Sequence, residues 1–541
     1  MSNIKIIPLG GVREAGKNLY VVEVNESIFV MDCGLVFPEE GLLGIDAVIP
    51  DFSYLEENAD RVVGIFLTHG HADAVGALPY LLEVIEAPVF GTELTIELAS
   101  LLAKERGLAD RLENFFKIDE EVEIEFEDAN VSFFRTTHTI PDSVGIVIQT
   151  KEGSIVYTGD FRIDPSAKPL YKTHFGRLTD IGESGVLALL ADSSEAESHV
   201  ENVSDQQAAD EILETFRNAH GRVIVACVGS NIARLQQVMD AAHTSKRTIF
   251  VPGGELMDIV DTAIKLDKLI MPSKRTFGQM KNIGKFKDHE IIILETGMSG
   301  EPIQALQLMA QGRHRQVKMQ EGDLVLFAST PSIAIETAMV RTQDMIYRAG
   351  AQVKVLTDSF KASGHATPNE LKLMINFLQP KIIIPVNGEY RQQAALADIA
   401  NQLGYEDDQI FIPSAGDVIE YRKGQFLMTQ EVPAGDILVD GNGVGDIGSV
   451  VLRDRRILSE DGICVIVATI SRRLKKVLVG PQIVTRGFVY VKSSIDLIES
   501  ASDMTLDILD KHLASEEFDW AELKSDLREQ VSKYFFKETK R

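Results

Sequence analysis

Ten residues constrain this chain more than any others: Leu67-Thr68-His69-Gly70-His71-Ala72-Asp73-Ala74-Val75-Gly76. The apolar run Val63–Leu67 reads as a buried strand. His, His and Asp follow at i, i+2 and i+4, before a helix expected from about Gly76. A loop at a strand's end can aim several imidazoles at one point, as a metal requires. Asp73 beside them can serve a second metal or hold a water. The competing reading is a polar turn with incidental histidines, since eleven histidines in 541 residues make His-x-His common. Two further segments weigh against that. His138 follows the strand run Val131–Phe134, and Asp160, in Thr158-Gly159-Asp160, follows Ile155–Tyr157. Alone, His138 would be a structural hydrogen-bonder and Asp160 a turn aspartate. Their recurrence at strand ends builds one site at a sheet edge.

The rest of the chain reads as mixed α/β. Hairpin-like apolar runs (Ile4–Leu9, Leu19–Val24, Ile28–Met31) precede helical spacing at Leu78–Ile85 and Leu94–Arg106. From about Val203 the pattern becomes strict alternation. Helix Asp205–Ala219, strand Val223–Cys227, helix Ile232–Ala242 and strands Thr248–Val251, Ile291–Leu294 and Leu324–Phe327 predict a parallel sheet with helical crossovers. Helix Asn369–Leu378, strand Ile382–Val386 and helix Gln392–Leu403 follow. Pro433–Gly448 is rich in Gly and Asp and reads as a linker. Beyond it, strands are expected near Val450, Val465 and Val477 and at Gly487–Val491, then helices from Ser493 and Trp520. Three scattered cysteines exclude a disulfide framework, and no apolar run is long enough to span a membrane. The expectation is therefore a cytoplasmic protein without membrane contact. With 81 acidic against 54 basic residues the net charge is −27, so any nucleic-acid site must be a local groove.

His-Gly-His-x-Asp, a single later His and Thr-Gly-Asp together resemble the metallo-β-lactamase fold. The flanks narrow the resemblance. Leu9-Gly10-Gly11-Val12-Arg13-Glu14, Lys17-Asn18, Asp32-Cys33-Gly34-Leu35, Gly44-Ile45-Asp46, Ala191-Asp192-Ser193, Ser363-Gly364-His365 and Gly388-Glu389-Tyr390-Arg391 are similar to ribonuclease J. So are Val439-Asp440-Gly441 and Arg486-Gly487-Phe488-Val489-Tyr490 in the C-terminal part. The resemblance implies an αββα metallo-β-lactamase sandwich with an inserted β-CASP α/β domain and a small α+β C-terminal domain. The implied division is 1–195 and 352–432 for the metallo-β-lactamase domain, 196–351 for the β-CASP domain, 433–449 for the linker and 450–541 for the C-terminal domain. It also implies hydrolysis of RNA, 5′→3′ with endonucleolytic cutting as a further mode, in mRNA decay and rRNA maturation.

In the active family members two zinc ions carry that hydrolysis. By resemblance, one would be held by His69, His71 and His138, with Asp160 bridging. The second would need Asp73, Asp160 and two histidines. This sequence has Ala74 and Asn387 where those histidines stand. One Zn²⁺ site is thus complete and the other degenerate, which implies weak intrinsic activity. Asp73 would orient water or act as base. Lys361, Ala362, Ser363, Gly364 and His365 match the phosphate-binding segment, His365 also entering catalysis, although Lys361 replaces the usual His. Thr330–Glu336 and Met298-Ser299 depart from the family's nucleotide-binding patterns. Together these changes resemble the second, poorly active ribonuclease J paralog of Gram-positive bacteria. That implies RNA and an active ribonuclease J paralog as partners, in a homo- or hetero-oligomer, dimer or tetramer. The alternative is a non-catalytic structural partner that stabilises or regulates the active paralog. Lys274, Arg275, Lys281, Lys285 and Lys287, with Phe277 and Phe286 between them, form a cationic stretch. Arg472, Arg473, Lys475 and Lys476 form another. Either is a solvated face or a phosphate contact.

Overall fold

Strands Ile4–Gly10, Leu19–Val24 and Ser27–Met31 are mostly apolar and buried along almost their whole length, because each lies inside a layered sheet. The computed structural model describes residues 3–38, 42–199, 204–253, 255–295, 303–328, 336–356, 363–441, 443–445, 447–488 and 494–539. Among them an eight-stranded sheet runs in the order 425–431, 417–422, 4–10, 19–24, 27–31, 62–66, 89–91, 115–117. A six-stranded sheet runs in the order 382–386, 186–192, 153–157, 144–150, 130–135, 123–125. Alternate residues of each face the other. Ile4, Ile6, Tyr20, Val22, Phe29 and Phe66 meet Val131, Phe133, Ile146, Ile148, Ile155 and Tyr157 in one apolar core. The opposite face of the second sheet (Val147, Val156, Leu189, Ile383) is covered by helices Phe175–Ser184, Pro368–Leu378 and Tyr390–Gln402. This is the α/β metallo-β-lactamase sandwich expected.

The inserted region forms a six-stranded parallel sheet ordered 277–278, 248–250, 291–295, 223–226, 324–327, 352–355. Helices Asp205–Asn218, Ile232–Thr244 and Glu255–Lys265 cover one face, and Ile303–Ala310 and Glu336–Arg348 the other. The sixth strand, Gln352–Val355, lies beyond residue 351 and pairs with Leu324–Phe327. Leu94, Leu98 and Ile140 of the sandwich join the core of the inserted sheet, which joins the two layers into one packed body.

Residues 439–541, with 40–45, form a separate unit. Its hairpin, Ile463–Ser471 with Lys476–Arg486, packs one face on helices Ile495–Ala514 and Trp520–Thr539. Three local expectations change. The segment read as a linker contains strands Asp436–Asp440 and Gly443–Val444. Val450 begins a helix, Ser449–Asp461, rather than a strand. Its β-branched pair is outweighed by helical spacing, an Arg456–Glu460 pair at i, i+4 and a stop at Gly462, φ 77°. Helix Ala72–Val75 starts before Gly76, followed by a second, Leu78–Val84. Of the strand expected at Gly487–Val491, the residues beyond Phe488 lie outside the described residues.

Candidate metal centre

Strand Val62–Phe66 delivers Thr68, His69 and His71 to the edge of the sandwich, and the segment Asp32–Leu35 holds them there. The Asp32 carboxylate accepts from the Thr68 backbone N–H at 2.8 Å, the Thr68 hydroxyl at 2.8 Å and the Tyr157 hydroxyl at 2.8 Å. The backbone N–H groups of Asn18, Cys33 and Leu35 donate to the carbonyls of Asp73, Ala74 and Ala72 at 3.0, 2.7 and 2.9 Å. This contact requires Gly34, where a Cβ would lie 1.6 Å from the Asp73 carbonyl oxygen. Asp32, Gly34 and Thr68 are thus props of the site that the spacing of ligand-type residues did not reveal. Their one signal was membership of the Asp-Cys-Gly-Leu and Leu-Thr-His runs.

The structure brings His69, His71 and His138 together, every pair of ring centroids 4.8 Å apart. The Thr68 hydroxyl spends its proton on Asp32, so it accepts from His69 Nδ1 at 2.9 Å. His138 Nδ1 donates to the Gly364 carbonyl at 2.9 Å. Nε2 of both rings is thereby turned into the cluster. His69 Nε2 is buried without a hydrogen-bond partner, 3.6 Å from Asp73 Oδ1 and 3.7 Å from Asp160 Oδ2. Burial opposes a proton on His69, yet the nearby carboxylates of Asp73 and Asp160 raise its pKa to about 9. Burial and the His69 charge lower His71 to about 3, and His138 falls in the same direction. Ligand atoms of all three histidines converge, two of the imidazoles in the neutral, ligating form, beside the carboxyl groups of Asp73 and Asp160. A metal ion fits these residues.

The other position differs. Ala74 is fully buried and offers no donor atom. Asn387, at φ 46°, donates from Nδ2 to Asp160 Oδ1 at 2.7 Å, while its Oδ1 accepts from the Gly16 N–H at 3.1 Å. Both ends of the amide are spent, and the network fixes which end is which. Burial and then the Asp73 charge raise the Asp160 pKa well above the usual carboxylate range.

Ser363, Gly364 and His365 lie beside the histidines. Lys361 and Ala362 fall outside the described residues, as do Met298-Ser299 and Thr330–Ile335. A Cβ on Gly364 would sit 2.6 Å from the His138 ring. His365 Nδ1 lies 2.7 Å from Asp192 Oδ2, and Asp192 Oδ1 accepts from the Ser194 N–H and hydroxyl at 3.0 and 2.8 Å. Burial opposes protonation of His365, but Asp192 and Asp160 raise its pKa to about 10. The site thus presents a fixed imidazolium beside the histidine cluster. The inserted domain closes one side, where the Ala233 N–H donates to Thr139 at 3.1 Å and a small cleft is lined by Thr139, Arg162, Asn231, Arg234 and Ser363.

Four family models match the chain. Residues 12–204 match the metallo-beta-lactamase superfamily and 220–346 the ribonuclease J beta-CASP domain. Residues 350–413 match the Zn-dependent metallo-hydrolase RNA specificity domain, and 450–541 the ribonuclease J C-terminal domain. A Ribonuclease J 2 of Streptococcus pyogenes is 48% identical over 541 residues, all of this chain and 98% of the relative. The chain belongs to the ribonuclease J family. A Ribonuclease J2 of Bacillus subtilis is 44% identical over 539 residues, covering 97% of that protein. A Ribonuclease J 2 of Staphylococcus aureus is 41% identical over 539 residues, covering 96%. A crystal structure of an Enterococcus faecalis protein of unknown function shares the fold, with TM-score 0.53 and 14% identity over 77% of this chain and all of that one. Ribonuclease J proteins are metal-dependent ribonucleases, and the metallo-hydrolase models imply a bound metal here. The RNA specificity model spans both Ser363–His365 and Asn387. No described helix is long and apolar enough to cross a membrane.

Proposed function

We propose that this ribonuclease J family member is an RNA-processing protein of weak intrinsic activity, acting in the cytoplasm with an active ribonuclease J paralog. Its reaction is 5′→3′ hydrolysis of RNA with endonucleolytic cutting as a further mode, in mRNA decay and rRNA maturation. The observation that carries the reading is the Asn387 amide, spent between the Asp160 carboxyl group and the Gly16 N–H, together with Ala74, which offers no donor atom. His69, His71 and His138, with Asp160, would hold one zinc, which supplies Lewis-acid chemistry when bound. Asp73 would orient the attacking water or act as its base. Ser363, Gly364 and His365, with Lys361 and Ala362, bind the phosphate, and the His365 imidazolium neutralises it. Loss of the two-ion clamp is the physical reason for slow turnover. The zinc content of the isolated protein, paired with decay of a 5′-monophosphate RNA, tests this. We expect about one zinc per chain, with slow hydrolysis that His69→Ala abolishes. Two tightly held zincs and rapid decay would overturn it.

A second reading, a non-catalytic partner of the active paralog, is favoured by a separate observation. The outer face of the C-terminal hairpin exposes Ile463, Val465, Val467, Val479 and Val484 to solvent. Such a face is a protein-contact surface. No metal and no cleavage in the isolated chain would leave this reading in place of the first.

A further inference from the structure

Two sequence-distant segments of the inserted domain lack acids altogether. Lys274–Lys287 carries five Lys or Arg in fourteen residues, and Arg313–Lys318 carries three in six, in a chain where acids outnumber bases 81 to 54. The fold brings them to one place. Met280, Ile283 and Phe286 of the first pack into the same core as Val317 and Met319 of the second. Gln320 Nε2 donates to Asp288 at 3.4 Å just beyond both. Phe286 meets Phe250 at 5.2 Å and Phe277 packs on the other core, so neither ring is a base-stacking platform. The cationic side chains are left outside: Lys274, Arg275, Lys285, Lys287, Arg315 and Lys318 are all exposed, and none forms an ion pair among the described residues.

Strand direction locates the patch. Lys287 and Lys318 lie just before Ile291 and Leu324, which open strands flanking Val223–Ala226 at its Val223 end. The other end, past Ala226, leads to Asn231–Ala233 and the histidine cluster. The cations therefore sit at the end of the parallel sheet away from the metal centre. Helix C-termini favour cations locally, but Lys274–Lys287 belongs to no α-helix, so that effect does not account for it.

We infer that this patch is a second RNA-contact surface, which holds the phosphate backbone of substrate beyond the strand in the active site. It rests on the reading that RNA is the ligand of this chain. The contact is sequence-independent and salt-dependent, and it is made only by RNA longer than the few nucleotides that fill the site. In an acidic chain this local charge also selects where a polyanion can approach.

The test compares the full chain with a variant carrying Lys274→Glu, Arg275→Glu, Lys285→Glu, Lys287→Glu and Lys318→Glu. Affinities for a long single-stranded RNA and for a hexanucleotide are measured over a range of salt. The variant should bind long RNA at least ~10-fold more weakly, with a log–log salt slope shallower by about 3.5, at roughly 0.7 per lost phosphate contact. Hexanucleotide binding and melting temperature should not change. Glutamine at the same positions, which adds no repulsion, should lose a smaller part of the affinity. Long-RNA binding with wild-type affinity and slope would overturn the proposal alone. A wild-type chain that binds neither RNA would overturn the RNA reading and the patch with it. Poly-glutamate bound as tightly as RNA would reassign the surface to an acidic protein.

Discussion

Gly34 shows how far a single residue reaches in this site. It bears no ligand atom, yet the carbonyl of Asp73 occupies the space of its missing Cβ. Gly34→Ala must push helix Ala72–Val75 outward, carrying Asp73 and His71 with it. We expect a loss of about 3 kcal/mol, the upper part of the overpacking range, and zinc affinity lower by roughly 10–100-fold. Gly176→Ala, in helix Phe175–Ser184 with open space around it, should be neutral or slightly stabilising. Thermal melts and a zinc competition titration read both, and a Gly34→Ala protein with unchanged zinc affinity would refute the propping role. This scale also shows what was legible beforehand. His69, His71, His138 and Asp160 could be found from the chain because ligating side chains recur at strand ends. Gly34, Asp32 and Asp192 stood out only as members of family-like runs, and their roles were not legible, because a prop works through a backbone approach or a partner distant in sequence. Asn387 could be recognised as a lost histidine, but the direction of its amide required the Gly16 N–H that fixes it.

At the scale of elements, apolar runs gave four strands of each sandwich sheet and the parallel character of the insertion, because buried strands leave few other readings; strands 89–91, 115–117, 123–125, 186–192, 417–422 and 425–431 were not read. The pattern also failed where turn residues and short strands mix, at Asp436–Val444, and where β-branched residues open a helix, at Val450. A charge inside a strand was equally invisible. Glu23 lies within strand Leu19–Val24 and is 2% exposed, facing Lys5 on the adjacent strand at 2.9 Å and Arg61 at 3.5 Å, with the Tyr54 hydroxyl donating to it. Burial alone would raise its pKa, but the Tyr54 and Lys5 hydrogen bonds and the Lys5 and Arg61 charges bring it below its ordinary 4.5. A folded-state pKa below the unfolded one means the stabilisation is complete above 4.5 and fades as pH falls through the folded value. Glu23→Gln should therefore cost about 3 kcal/mol at neutral pH. The gap to wild type should close on acidification. Urea unfolding followed by circular dichroism from neutral to acidic pH measures it, and a gap that stays constant would exclude the ionic contribution.

The whole molecule divides by contact into two units. Among the described residues, the unit formed by 439–541 with 40–45 has two small cores, one of Phe488, Ala501, Val531 and Phe535, the other of Ile508, Leu509 and Leu523. Its hairpin leaves a whole face in water. The remainder buries two stacked sheets and a doubly covered parallel sheet in cores continuous from sandwich to insertion. Stability follows the fraction of apolar surface a unit buries, which rises with size. Calorimetry should therefore resolve two transitions, the smaller belonging to the C-terminal unit and coming first. The candidate zinc ligands all lie in the larger unit, so zinc can act by mass action on that transition alone. At a hundredfold excess over Kd it should add about 2.7 kcal/mol to the larger unit and leave the lower transition in place. His69→Ala should remove that zinc response while keeping both transitions. A lower transition that moves with zinc would mean the two units unfold as one cooperative body.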